Sequence, residues 1–252
     1  MYLSIVTDTT QWTELADKYQ VRKYVSDCGL ADKLVELYGV WNNANDIDFC
    51  SLPTQFVLKT NHGSGEIKII KNSSCIDKEQ IISYFNKAIK QPYGAIEAGK
   101  HYLRINLCII AEQLLLNDVE SQKYSSSIID YKCWCFNGKV HYIWVCCNRD
   151  SHGTDVLLYD KDWNVHPEYS IFTEHYRKGE VVPRPTNLSE MIKVAEKLAH
   201  PFPCVRVDLY NIGGKIYFGE MTFTSLGGLM NFYTDEFLNI AGSLIDLNYK
   251  GL

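Results

Sequence analysis

Apolar positions recur along the chain with two different periods, and the switches between them mark its elements. Over residues 10 to 38, Leu15, Tyr19, Val21, Tyr24 and Val25 give a largely helical pattern that breaks near Gly29. A β-type run, Phe56-Val57-Leu58-Lys59, leads into Asn61-His62-Gly63-Ser64-Gly65, and a second run over 66–71 follows at once. That order predicts an antiparallel pair with a mobile glycine connection. Asp77 reads as a helix cap with Gln80 three residues on, and Ile81, Ile82, Phe85 and Ile89 continue at helical spacing. Residues 107–116 read as an apolar strand interrupted by Glu112. Runs at 129–136 and 139–147 are joined by Asn137-Gly138, the dipeptide best suited to a two-residue type I′ turn. Residues 148–186 hold turn formers without a clear period. A helix is marked from Asn187, with Glu190 matching the cap and Leu188, Met191, Ile192, Ala195 and Leu198 on one face. A last hairpin joins 204–210 to 215–222 through Asn211-Ile212-Gly213-Gly214, and a final helix starts near Asp235. Strands paired locally, with helices between them, give an α+β class.

Composition narrows the function classes. The 252 residues suit one compact unit or two small lobes, and 46% hydrophobic against 22% charged residues is ordinary for a globular chain. A formal charge of −5, with no basic stripe, argues against a nucleic-acid partner. No apolar stretch approaches the roughly 20 residues of a membrane span, and no secretory signal opens the chain. Nine cysteines, an odd count without zinc-type spacing, read as reduced structural thiols in the cytoplasm.

Four features carry candidate chemistry. In the last hairpin Arg206, Asp208 and Tyr210 alternate with Val205, Val207 and Leu209, while Phe218, Glu220 and Thr222 fall together on the returning strand. Asp208 and Glu220 on one face would repel each other and need a cation, and hard oxygen ligands suit Mg²⁺. A solvated face with an ion pair to Arg206 is the alternative. Lys59, ending its strand before Gly63-Ser64-Gly65, can meet a phosphate whose oxygens the glycine backbone also approaches, although such a tip also serves as a plain turn. Glu112 between apolar flanks can offer a carboxylate to an adenine edge or simply end a strand. Lys132 can face the same phosphates or lie on the surface. Serine-hydrolase, zinc-protease and dinucleotide motifs are missing. His62 and His152 each stand in a predicted loop just before a glycine.

The order Lys18, Lys59 with its glycine loop, Glu112, Lys132, then Asp208 with Glu220 resembles the ATP-grasp superfamily. In detail it is similar to the TupA-like branch associated with teichuronopeptide and capsular polysaccharide synthesis. The resemblance rests on Asp17-Lys18-Tyr19, Val21-Arg22, residues 56–65, His101-Tyr102, 109–112, 130–138 and 202–223, and so spans nearly the whole chain. It implies two α+β lobes with antiparallel sheets that grip a nucleotide. Within one catalytic unit, 1–50 would form a helical N-terminal part, about 51–110 the small clamping lobe, and about 111–252 the larger lobe. It also implies that Lys18 and Lys59 contact ATP phosphates under the loop Gly63, Ser64 and Gly65, with Lys132 facing them. Glu112, Gln113 and Leu115 would form the adenine hinge, and Asp118 or Glu120 would hold the ribose. Asp208, Glu220 and Thr222 would bind Mg²⁺, and Arg206, with Lys59, would act on the transferring phosphoryl group. Thr222 stands where many relatives carry Asn, and Lys100 and Cys108 where Trp and Arg are expected in the branch.

The implied activity is that of a carboxylate–amine ligase. It would join a uronic-acid carboxylate of a surface polysaccharide precursor to an amino acid or amine through an acyl-phosphate. Arg149, His152 and residues 225–228 are candidates to line the acceptor pocket. A sugar-hydroxyl kinase, or an inactive ATP-binding subunit of an assembly complex, are the rival readings.

Overall fold

The computed structural model describes residues 2–63, 65–95 and 98–251. Ser64, one of the residues expected to meet phosphate, lies outside them. The chain divides into two compact units, one of residues 1–26 and 34–115, the other of 27–33 and 116–252.

In the first unit, helices α1 (Tyr2–Val6), α2 (Thr10–Ala16) and α3 (Val21–Asp27) precede a four-stranded antiparallel sheet. Its strands are β1 (Leu37–Trp41), β2 (Phe56–Thr60), β3 (Ile67–Ile70) and β4 (Ile109–Gln113), in the order β1-β4-β2-β3. Helix α4 (Lys78–Ala88) covers one face. Its first turn forms where the sequence predicts, because Asp77 Oδ1 accepts the Gln80 amide at 2.9 Å. Ile81, Phe85 and Ala88 then pack against Phe56, Leu58, Ile109 and Ala111 of the sheet. The helical pattern expected over 10 to 38 is broken earlier than Gly29. Asp17 turns the chain between α2 and α3, accepting the amides of Tyr19 and Gln20. Its last residues enter β1, which pairs with β4 through a bulge between Leu37 and Gly39. All five β1 residues are half-buried, so neither period shows in the sequence.

The second unit is built on a six-stranded sheet. Its strands are β5 (Asp130–Phe136), β6 (Lys139–Cys147), β7 (Thr154–Asp160), β8 (Tyr176–Lys178), β9 (Cys204–Ile212) and β10 (Lys215–Thr222). The order is β10-β9-β5-β6-β7-β8, antiparallel except for the pair β7 and β8. Asn137 and Gly138 join β5 to β6 with φ of 49° and 72°, as a type I′ turn requires. Helix α5 (Leu188–Ala199) lays Leu188, Met191, Ala195 and Leu198 into the core. Its expected Asn187 cap does not form. The Asn187 amide group donates to the Gly214 carbonyl at 2.8 Å, and its oxygen accepts from Asn211 at 2.7 Å. The side chain thus ties the helix start to the β9–β10 turn. The other sheet face carries Trp134, Trp144, Val156 and Leu158, covered by Phe232, Tyr233 and Phe237, the last from helix α6 (Asp235–Ser243). Among the described residues no helix is long and apolar enough to cross a membrane.

Candidate functional site

In the first unit the strand alternation aims two predicted residues together. Phe56, Leu58 and Thr60 point into the core, so Lys59 leaves β2 on the opposite face. Val57 pairs with Glu112 on β4, which sets the Glu112 side chain beside that of Lys59. Lys59 Nζ lies 2.6 Å from Glu112 Oε2, and Arg22 of α3 reaches Oε1 at 3.2 Å. Arg22 is fixed in turn by the Val35 carbonyl at 2.8 Å. A buried carboxylate needs such compensation, and here two cations supply it. The neighbouring Gln113 donates its backbone N–H to the Glu36 carbonyl at 2.9 Å, and Leu115 is half-buried at the end of the unit.

Lys18 belongs to the glycine loop in a direct sense. Its Nζ donates to the Gly63 carbonyl at 2.7 Å and its amide to the Asn61 carbonyl at 2.9 Å. Gly63 and Gly65 have φ of 69° and 98°. His62 is buried with Nε2 3.1 Å from the Gln91 carbonyl, and burial lowers the affinity of its ring for a second proton.

The second unit gathers Lys132, Arg206, Asp208, Glu220 and Thr222 on one face of β5, β9 and β10. Lys132 pairs with Asp208 and Asp208 with Glu220, and one step along the sheet Trp134 pairs with Arg206 and Arg206 with Thr222. A bulge at Gly219 makes this register possible. It sets Phe218 opposite Leu209 and Glu220 opposite Asp208, so Phe218 turns to the other face and does not share one with Glu220 as the simple alternation predicts. A Cβ on Gly219 would stand 3.0 Å from the Asp208 carbonyl oxygen, so any larger residue there must push the backbone apart by a few tenths of an ångström.

Here Arg206, Asp208, Lys132 and Asp130 are buried, and Glu220 is half-buried. Arg206 Nε donates to Asp208 Oδ1 at 2.7 Å, and Nη2 donates to Asp208 Oδ2 at 2.8 Å. Nη2 also lies 3.3 Å from Glu220 Oε1 and 3.1 Å from Thr222 Oγ1. Lys132 Nζ sits between Asp208 Oδ2 and Asp130 Oδ2, the latter at 2.6 Å. Burial pushes the Asp208 carboxyl up, yet Arg206 and then Lys132 outweigh it and hold the group below the usual carboxylate range. Burial likewise disfavours the charge on Lys132, and Asp130 and Asp208 together more than reverse that. Asp208 therefore stays an anion at neutral pH although only 1% of its surface is exposed. The Arg206 guanidinium also lies 5.8 Å from the centre of the Trp134 ring and donates from Nη1 to Ser225 Oγ at 2.8 Å.

The donor set suits a small hard cation. Asp208, Glu220 and Thr222 offer two carboxylates and a hydroxyl, all within 2.8–3.3 Å of one cationic nitrogen, Arg206 Nη2. Oxygen donors that leave coordination positions for phosphate and water are what Mg²⁺ takes. Among the described residues no cluster of three or more His, Cys, Asp and Glu side chains offers an alternative metal site. The cysteines of the sheet are unreactive, since burial pushes the Cys146 thiol up to about 12.

Other expected residues lie apart from this cluster. Asp118 is committed to the turns on either side of it, accepting the Ser121 amide at 2.8 Å and the Gly213 amide of the β9–β10 turn at 2.6 Å. Glu120 is exposed and paired with Lys123. Arg149 reaches Asp130 Oδ2 at 3.3 Å, whereas His152 is exposed and close to Asp150. Arg22 and Asp130 lie in stretches that carry the family resemblance, but no role was expected of either. Asp130 carried a signal, because it stands two residues before Lys132 on one strand and so shares its face. Arg22 carried none in its spacing, being distant in sequence from Glu112.

No curated protein matches the chain. Among solved structures, D-alanine–D-alanine ligase from Bacillus anthracis is 19% identical with a TM-score of 0.50, covering 90% of this chain and 62% of that one. The ADP complex of PurK, N5-carboxyaminoimidazole ribonucleotide synthetase, is 12% identical with a TM-score of 0.51, covering 85% and 46%. Both likenesses are of fold, and this chain spans about half to three fifths of the length of such proteins. A family model described as TupA-like ATPgrasp matches residues 2–246, and the chain belongs to that family.

Proposed function

We propose that the chain is an ATP-dependent, Mg²⁺-requiring carboxylate–amine ligase of the cytoplasm. Its substrates would be a uronic-acid carboxylate of a surface polysaccharide precursor and an amino acid or amine. The observation that carries the reading is the convergence of Arg206, Lys132, Asp208, Glu220 and Thr222 on one sheet face, in a chain of the TupA-like ATP-grasp family.

The chemistry follows from the charges. Lys18 and Lys59, with the backbone of the glycine loop, neutralise and orient the triphosphate. Asp208, Glu220 and Thr222 would hold Mg²⁺, which would supply further neutralisation of the phosphate oxygens. A substrate carboxylate oxygen attacks the γ-phosphorus, the bond to the bridging oxygen breaks, and ADP leaves. Arg206 and Lys132 stabilise the negative charge on the transferring group. The amine nitrogen then attacks the acyl carbon, phosphate departs, and the amine loses a proton.

ADP release separates this reading from its rivals. Turnover is expected only when a uronate and an amine are both supplied. Release with the uronic-acid sugar alone, together with a stable phosphorylated sugar, would instead mark a kinase. Nucleotide binding without release under any condition would mark an inactive subunit, a reading that Thr222 in place of an amide ligand favours.

A further inference from the structure

Arg206 occupies the place that the proposed function assigns to a metal. A single nitrogen, Nη2, bonds all three side chains expected to hold the cation, at 2.8 Å to Asp208, 3.3 Å to Glu220 and 3.1 Å to Thr222. A divalent ion that used those same oxygens would sit within van der Waals contact of this nitrogen, and two cations do not share one such place. Arg206 is 7% exposed, so it is a built part of the sheet face and not a surface group that has drifted there.

We infer that Arg206 and the divalent cation are alternative occupants of one position, and that Ser225 holds the guanidinium when the cation is present. The inference rests on the proposed reading for the assignment of Asp208, Glu220 and Thr222 as metal donors and for the identity of the cation. Three features support an exchange instead of simple exclusion. Asp208 retains Lys132 as a second counter-ion, so it is not stripped of all its partners when Arg206 leaves. Arg206 Nη1 already donates to Ser225 Oγ at 2.8 Å, a contact outside the metal donor set that gives the group a pivot. Ser225 is itself buried, at the start of a turn that runs through Leu226 and Gly227 at φ of 45° and 61°. Displaced from Asp208, the guanidinium would remain beside the site with donors released for a phosphoryl or acyl-phosphate oxygen. Metal entry and the arming of Arg206 would thus be one event.

The test is Mn²⁺ binding to the full, nucleotide-free chain, followed by electron paramagnetic resonance. Arg206→Gln is expected to bind Mn²⁺ about tenfold more tightly than the native chain, the scale of one charge-assisted hydrogen bond no longer competing. Equal or weaker binding by the variant overturns the inference. Should the variant fail to fold, the native chain provides a second readout. Addition of Mg²⁺ is expected to shift the Arg206 Nε–Hε resonance and speed its proton exchange; bound Mg²⁺ with that signal unmoved overturns the exchange. No metal binding by either chain removes the metal assignment and the inference with it. Graded Mn²⁺ binding without any ATP turnover would leave the competition standing and end the ligase reading.

Discussion

Asn61 is fully buried and uses its side chain and both its backbone groups. Its amide nitrogen donates to Asp17 Oδ2 at 2.8 Å and to the Asn106 carbonyl at 2.9 Å, and its side-chain oxygen accepts the Cys108 amide at 2.8 Å. The backbone carbonyl takes the Lys18 amide at 2.9 Å. The residue therefore locks the peptide that carries Lys18 to the start of the glycine loop. Leucine has similar bulk and none of these groups, so Asn61→Leu would leave Asp17 and the Cys108 amide each short of a buried partner. The expected loss is about 3 kcal/mol in urea unfolding, with nucleotide affinity falling as Lys18 shifts. A variant of native stability would show that the network is dispensable. Lys132 poses the same question for the second unit, because its Nζ bridges Asp130 and Asp208. Lys132→Met is expected to cost about 3–5 kcal/mol at neutral pH, the range for breaking a buried ion pair by removing one partner. An unfolding midpoint unchanged from the native one would contradict that.

At the scale of elements, the β9–β10 hairpin depends on its bulge. Gly219 lets Glu220 come opposite Asp208, and a methyl group there would stand 3.0 Å from the Asp208 carbonyl oxygen and 3.3 Å from the Tyr210 ring. Neither neighbour can swing away as a flexible side chain would, so the strands themselves must part. Gly219→Ala is expected to cost about 1–2 kcal/mol and to weaken Mn²⁺ binding, because the donor set spans the altered pair. Native Mn²⁺ affinity in that variant would mean that the register tolerates the methyl group. The same hairpin shows what sequence alone conveys. Alternation placed Arg206 and Asp208 on one face, and Asn137-Gly138 announced the β5–β6 hairpin, since both signals are local and chemical. The bulge was invisible, because an extra residue in one strand is defined by the partner strand. Strand β1 was hidden for a related reason: its pairing with β4 is distant in sequence and its half-buried residues follow no period. The ion pair of Arg22 with Glu112 could be read only after β4 and α3 had been placed.

Across the whole molecule, acid should act unequally on the two units. Burial, aided by Arg104, lowers the His101 pKa to about 4, and burial also lowers that of His62, although the Gln91 carbonyl opposes it. Both belong to the first unit. A histidine with a folded value below its unfolded one binds its proton mainly in the unfolded chain, so stability falls as pH drops from about 6.5 toward the folded value. For His101 the full effect is at most about 3 kcal/mol. In the second unit His166 shifts the other way: burial opposes its charge, but Glu168 and Asp160 more than compensate and raise its pKa. Its contribution is complete below the unfolded value and disappears only as pH rises. His141, lowered by burial, offsets part of that gain. The Asp208 pairs persist through the same window, because a depressed carboxylate loses its contribution only below about pH 4. Between pH 7 and pH 5, amide-exchange protection corrected for intrinsic rates should therefore fall more in β2 and β4 than in β5 and β9. His101→Gln should narrow that difference, since glutamine takes up no proton. Equal losses in both sheets would mean that the buried histidines do not govern acid sensitivity, whereas the expected asymmetry would assign it to the unit that holds Lys18, Lys59 and the glycine loop.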